Sequence, residues 1–143
     1  ALVEPSVLRL FQARGIQVID TAQRLKTTRQ PPAPFGKGDG EQMEIDILAT
    51  NEDSVIPIEV KTTLKVEDVN YFIEKLDRFM DFFPKYKGMK LYGAVAGIRI
   101  EEAADRHADP SQQAQDKGLF VLTLSGEDLV VILNDEKFKP KEW

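Results

Sequence analysis

Two short segments that alternate apolar and charged residues, joined by a polar turn, constrain this chain more than any other feature. The segments MEIDILAT and SVIPIEVKTT flank the residues Asn51, Glu52 and Asp53. Alternation of this kind predicts half-buried strands, so the two segments together predict a β-hairpin. If the hairpin turns about Glu52 and Asp53, residues whose numbers sum to 105 face each other across the strands.

This register separates charged side chains from apolar ones. Asp46 lies opposite Glu59 and Glu44 lies opposite Lys61 on one face. The reverse face takes Ile45, Ile47, Ala49, Ile56, Ile58 and Val60. A strand pair with one side on a core has this pattern. Two carboxylates directly across a strand pair, with Cβ atoms roughly 4.5 to 5.5 Å apart, repel each other, and a divalent cation between Asp46 and Glu59 would offset that repulsion.

The residue types limit the kind of metal site. The chain has no cysteine and one histidine, His107. Disulfides, thiol nucleophiles, cysteine-bound zinc and multi-histidine sites are therefore excluded. Oxygen ligands favour the hard cations Mg²⁺, Mn²⁺ and Ca²⁺, and of these we expect Mg²⁺ or Mn²⁺ as the cofactor. His107 lies in a polar segment beside Asp105 and receives no role.

Length and composition predict one domain over residues 1–143. The chain contains no apolar run near the roughly 20 residues of a membrane span, so we expect no membrane partner. The absence of cysteine fits a reducing cytoplasm. Because the sequence opens at Ala1 without a methionine, we expect the domain to be the C-terminal part of a longer chain.

The positive charge of the chain is concentrated in one stretch. Four basic residues and no acidic ones lie between Asp20 and Asp39, so this stretch carries +4 and the rest carries −9 of the net −5. The basic residues are Arg24, Lys26, Arg29 and Lys37. They either keep a loop soluble or contact the phosphates of a nucleic acid.

Periodicity predicts the remaining elements. A short helix ends before Gly15, a strand runs from about Ile16 to Leu25, and residues 30–40 form an exposed loop rich in proline and glycine. Apolar residues at helical spacing predict a long helix from Val66 to Phe83. Further predictions are a strand over 90–100, a broken helix over 101–117, and strands over 119–124 and 128–133. The order α-β-β-β-α-β-α-β-β predicts an α/β or α+β sandwich around a mixed sheet, and of the two we expect an α/β fold with helices flanking the sheet.

The charged residues of the hairpin resemble a known motif. Asp46, then Glu59 and Lys61 on the next strand, within the texts EIDILA and IEVK, resemble the PD-(D/E)XK nuclease superfamily over nearly the whole chain. The resemblance is to archaeal Holliday-junction resolvases and restriction-endonuclease-like domains, and more closely to uncharacterised prokaryotic members. It implies a restriction-endonuclease-like fold and a DNA endonuclease.

The resemblance also implies residue roles. Asp46 and Glu59 would bind the metal together with the backbone carbonyl of Val60, and Lys61 would be the catalytic lysine. Glu4 or Glu44 would serve as an auxiliary acid. DNA would be the partner, with the four basic residues near its phosphates.

Two other hypotheses remain open at this point. The first is a noncatalytic interaction or DNA-binding module that keeps the nuclease-like scaffold, in which Lys61 only pairs with Glu44 across the strands, a contact worth at most about 1 kcal/mol. The second is a structural module. Its helix would form a homodimer through Phe72, Phe79 and Phe83 if part of that stripe is exposed.

Overall fold

A mixed β-sheet flanked by helices makes up the described part of the chain. The computed structural model describes Phe11 and residues 20–29, 41–125 and 129–143. The strands and α-helices are β1 (Asp20–Arg29), β2 (Glu41–Thr50), β3 (Ser54–Leu64), α1 (Val66–Phe82), β4 (Lys90–Leu91), β5 (Ala94–Ile100), α2 (Pro110–Asp116), β6 (Phe120–Ser125) and β7 (Leu129–Ile132). Short 3-10 helices cover Pro84–Tyr86 and Arg106–Ala108. This α/β arrangement agrees with the predicted class.

The sheet has antiparallel outer strands and parallel inner ones. The strand order is β1-β2-β3-β5-β6-β7, and β4 also pairs with β3. The β3–β5 and β5–β6 pairs are parallel, whereas the other neighbours in that order are antiparallel. Residues of β4 and β5 pair with β3 residues numbered 36 lower throughout, so the two form one interrupted strand. Helix α1 makes the parallel crossover from β3, as the sequence predicts.

The predicted hairpin forms, and its register matches the prediction from the turn to Ile47 and Ile58. Ile47 pairs with Ile58 and Thr50 pairs with Val55, and each pair sums to 105. The turn is fixed by Asn51, whose side-chain Oδ1 accepts hydrogen bonds from the backbone N–H groups of Asp53 and Ser54 at 2.9 and 2.7 Å. An Asn side chain that folds back in this way favours a tight turn.

The ladder between β2 and β3 ends at Ile47 and Ile58, and beyond that point the two strands separate. From there β2 continues beside β1, and β3 continues beside β5. Ile45 does not share a face with Ile47 and Ala49, so that part of the prediction is wrong. Ile45 packs with Leu48 in the core between the sheet and α1. The alternation of β2 side chains between the two faces shifts by one residue near Asp46, where β2 leaves β3.

Two apolar cores cover the faces of the sheet. The larger one lies between the sheet and α1 and includes Phe72, Leu76, Phe79 and Phe83. The other contains Ile47, Ala49, Ile56, Ile58 and Phe11, which is helical and packs edge-on against Phe120 at 5.2 Å. The phenylalanine stripe of α1 is therefore buried within the chain, and it offers no exposed surface for a dimer. No helix in the described ranges is long and apolar enough to cross a membrane.

Several predicted boundaries differ from the observed ones. Strand β1 continues beyond Leu25 to Arg29, and residues 101–105 are not helical. In the second case the chain turns through a 3-10 helix until Asp109 caps α2, its side chain accepting from Ser111 N–H at 3.0 Å. The predicted first helix, apart from Phe11, and the loop over 30–40 lie outside the described residues.

A substitution at Gly93 would test how tightly α1 packs on the sheet. A methyl group added there would lie 2.5 Å from Leu76 Cδ1 and 2.8 Å from Leu119 Cδ2. We expect Gly93→Ala to lower the free energy of unfolding by about 1–3 kcal/mol through overpacking, as measured by urea denaturation. In a Leu76→Ala background the same change should cost at least about 1 kcal/mol less, because space has been opened. Strict additivity of the two changes would contradict this account.

Candidate functional site

Asp46 lies at the fork where β2 and β3 separate. Its carboxylate Oδ2 accepts a hydrogen bond of 2.9 Å from the backbone N–H of Val60. A side chain thus takes the place of the ladder partner that β2 would otherwise supply. Because N–H and C=O of one strand residue point to the same edge, the Val60 carbonyl also faces the fork. This contact fixes Asp46 beside the backbone that follows Glu59.

Glu59 is held from the helix side by Lys75. The side chain of Glu59 is 9% exposed and that of Lys75 is 16% exposed. Lys75 Nζ lies 3.1 Å from Glu59 Oε2 and 3.5 Å from Oε1, and it donates to the backbone carbonyl of Glu44 at 3.0 Å. Lys75 therefore connects β2, through Glu44, with β3, through Glu59, across the fork.

The electrostatics of Glu59 reflect burial and mixed neighbours. Burial raises the pKa of the Glu59 carboxyl above its ordinary value, and the negative charge of Asp46 raises it further. The ammonium groups of Lys75 and Lys61 act in the opposite direction without cancelling the rise. Asp46 and Glu59 thus interact electrostatically, although the cross-strand pair predicted for them lies beyond the end of the β2–β3 ladder.

Lys61 lies at the outer side of the site. Its Nζ is 3.9 Å from Glu59 Oε1 and 4.0 Å from Asp68 Oδ1, and its side chain is 40% exposed. The expected pairing of Lys61 with Glu44 is wrong, because the β2–β3 ladder ends before these residues. Glu44 instead lies opposite Lys26 of β1 and is exposed.

The carboxylates and the carbonyl at the fork are oxygen donors, the ligand type that hard cations use. Asp46 hydrogen-bonds the backbone of Val60 and acts electrostatically on Glu59, and Mg²⁺ in proteins commonly uses one or two carboxylates and completes its shell with water and substrate phosphate. Within the described ranges, no three His, Cys, Asp or Glu side chains are grouped to hold a metal ion. Any cation here would therefore be bound by few protein ligands.

A groove of about 390 Å³ opens next to Lys75, between the start of β2 and α1. It is lined by Gln42, Met43, Tyr71, Glu74, Lys75, Asp77, Arg78 and Phe82. Tyr71 is 60% exposed, and its ring centroid lies 5.4 Å from Lys75 Nζ. Because Lys75 lines the groove and also contacts Glu59, its side chain lies between the two.

The remaining candidate residues add no described side chain to this cluster. Glu4 and Lys37 lie outside the described residues. Arg24, Lys26 and Arg29 all belong to β1, which extends past the predicted strand end at Leu25, and their side chains are not described. The backbone register sets Lys26 opposite Glu44 and Arg29 opposite Glu41. His107 is exposed in a 3-10 helix.

Sequence reasoning missed Lys75 and did not connect Asp68 with the site. Lys75 follows Phe72 by three residues and precedes Phe79 by four, so helical geometry sets it beside the buried stripe of α1. A lysine at such a position needs a partner if its ammonium is partly buried. Asp68 lies in the first turn of α1, where it accepts a hydrogen bond from Lys65 N–H at 2.9 Å.

Loss of the Lys75 ammonium should destabilise the protein. We expect Lys75→Met to lower the free energy of unfolding by about 2 kcal/mol, because it leaves the Glu59 carboxylate without its closest charged donor. Urea denaturation in EDTA measures the change. Lys87→Met, at an exposed position, is the matched control and should stay within about 0.5 kcal/mol. Equal effects of the two changes would contradict the assignment.

The raised pKa of Glu59 gives a pH dependence of defined sign. Between the unfolded and folded pKa values, the folded protein binds more protons than the unfolded chain, so stability falls as pH rises. The window opens near the ordinary glutamic acid pKa of about 4.3. We expect the stability of the wild type relative to Glu59→Gln to decline with pH above that value, in urea titrations with EDTA. A constant difference would contradict the expectation.

Comparison with models of protein families gives no match for this sequence, and comparison with curated proteins gives none either.

Proposed function

We propose that this chain is a metal-dependent phosphodiesterase, specifically a DNA endonuclease with a restriction-endonuclease-like fold. Its motif resembles that of the PD-(D/E)XK superfamily, and membership in that superfamily is part of the proposal. Asp46, Glu59 and the carbonyl of Val60 would hold Mg²⁺ or Mn²⁺. Lys61 would be the catalytic lysine.

The proposed function rests on the position of Asp46 and Glu59 beside the end of the β2–β3 ladder. Asp46 Oδ2 accepts a hydrogen bond of 2.9 Å from Val60 N–H. The negative charge of Asp46 also contributes to the raised pKa of Glu59. The two carboxylates would supply oxygen ligands from one side of a cation. Water and a phosphate would complete its shell from the other side, as hydrolysis of a phosphodiester requires.

Each residue would have a separate task. The Val60 N–H fixes the orientation of Asp46, and Lys75 fixes that of Glu59. Lys61 is the more exposed of the two lysines, so its ammonium can approach a bound phosphate from solvent and stabilise the charge that develops on it. A bound divalent cation would supply acidity to a water molecule and neutralise charge on the phosphate.

The charge distribution bears on how DNA would bind. The net charge is −5, and two of the basic residues of β1 lie opposite acidic residues of β2. Tight nonspecific binding to duplex phosphates needs unpaired positive charge. DNA recognition would therefore rely on other basic residues such as Lys37 and Lys61, or on a partner.

One observation favours the alternative of a noncatalytic module with the same scaffold. The ion pair between Lys75 and Glu59 neutralises the more buried carboxylate without a metal. A protein that used this fold only for binding DNA or another partner would need no further cation at the fork. The two functions differ in what Asp46 does.

Metal titration of Asp46→Asn separates the alternatives. We expect calorimetry with Mn²⁺ and Mg²⁺ to show saturable binding to the wild type, and we expect Asp46→Asn to lose it because one of two carboxylate ligands is removed. Glu52→Gln removes the same charge from the exposed turn and should bind like the wild type. Cleavage of branched, nicked and single-stranded DNA should follow the same pattern.

The opposite results would support the noncatalytic module. Absence of metal binding to the wild type, also in the presence of DNA that can complete the coordination shell, would contradict the enzyme. In that case Asp46→Asn should raise stability slightly by removing repulsion with Glu59, with the amide oxygen still available to Val60 N–H.

A further inference from the structure

The ammonium group of Lys75 is surrounded by electron-rich groups. Nζ lies within 3.5 Å of both carboxylate oxygens of Glu59 and 3.0 Å from the carbonyl of Glu44, with the ring of Tyr71 centred 5.4 Å away. These contacts use the three donors of an ammonium and one aromatic face. Lys75 thus occupies the place of a cation at Glu59.

We infer that Lys75 is an internal counter-ion that a divalent cation must displace before it can bind Glu59. This inference rests on the proposed metal site. A ligated cation would lie about 2 Å from a carboxylate oxygen, and Nζ is shared between both oxygens of that carboxylate. The two positive charges would therefore be only a few ångström apart, and they repel each other strongly in a partly buried site.

The groove beside α1 gives the displaced side chain somewhere to go. Lys75 already lines this groove, together with Tyr71 and the acidic residues Glu74 and Asp77. A lysine side chain has four flexible carbons, so the ammonium can move from Glu59 toward these carboxylates without movement of the helix. In the proposed metal-bound state the Lys75 ammonium would therefore lie in the groove instead of at the fork.

Displacement links metal affinity to the lysine. When no metal is bound, Lys75 at the fork neutralises the charge of Glu59 and holds its side chain in place. A cation that arrives must break this ion pair, so its affinity is lower than two carboxylates alone would give. Removal of the lysine charge should therefore strengthen metal binding although it weakens the fold.

Calorimetry with MnCl₂ tests this prediction directly. We expect Kd to fall about tenfold in Lys75→Met relative to the wild type, which corresponds to about 1.4 kcal/mol. Lys75→Arg keeps the charge and should bind no more tightly than the wild type. Lys87→Met removes a lysine charge at an exposed position and should leave Kd unchanged.

Acetylation of the wild-type protein gives a second readout that needs no variant at Lys75. N-hydroxysuccinimide acetate, followed by peptide mass spectrometry, measures the accessibility of each lysine. In EDTA the Lys75 ammonium should be protected by its contacts with Glu59, and saturating Mn²⁺ should raise its labelling several-fold. Lys87 should label equally in both conditions. Asp46→Asn should abolish the effect of Mn²⁺ on Lys75.

The outcomes distinguish this inference from the proposed function. If the wild type binds Mn²⁺ but Lys75→Met binds it no more tightly, or Lys75 stays protected, the counter-ion role is overturned and the metal site stands. If only Lys75→Met binds Mn²⁺, with or without DNA, the lysine excludes the cation instead of being displaced by it, and both the displacement and the wild-type metal site are overturned. If neither binds, with or without DNA, both proposals fail. Should Lys75→Met not fold, acetylation of the wild type decides.

Discussion

The separation of β2 from β3 after Ile47 and Ile58 is the constraint on which the site depends. A ladder that continued would satisfy Val60 N–H with a backbone carbonyl and would press Asp46 directly against Glu59. Because the strands part, Val60 N–H is satisfied by the Asp46 carboxylate, and Lys75 reaches into the fork to contact both strands. The Asn51 turn sets the register of the hairpin, and the end of its pairing sets the positions of Asp46, Glu59 and Lys75.

Burial divides the work between the two lysines. Lys75 is mostly covered and lies 3.1 Å from Glu59, whereas Lys61 is 40% exposed and its nearest carboxylate oxygen is 3.9 Å away. An exposed pair at that distance contributes little to stability, while breaking a covered one leaves an uncompensated charge. Lys75 therefore contributes to stability, whereas Lys61 contributes little and is the lysine that would contact a bound phosphate under the proposed function.

Local patterns made much of the fold and part of the site predictable. Strict alternation and the Asn51 turn determine the hairpin register, and the apolar stripe of α1 leads to the parallel crossover. Ile45 was misassigned because alternation assumes a strand that does not change face. Lys75 was missed because its contacts with Glu44 and Glu59 span 31 and 16 residues. A sequence pattern read along one element does not reveal contacts of that length.

The fork also bears on aggregation. Where two strands part within a sheet, their facing edges offer backbone groups that another extended chain could pair with. Asp46 covers the N–H of Val60 on one edge, and Lys75 covers the carbonyl of Glu44 on the other. Asp46 and Lys75, which shape the site, therefore also cover the backbone groups of an internal strand edge. A variant that lost both side chains would expose β2 and β3 to strand addition by another chain.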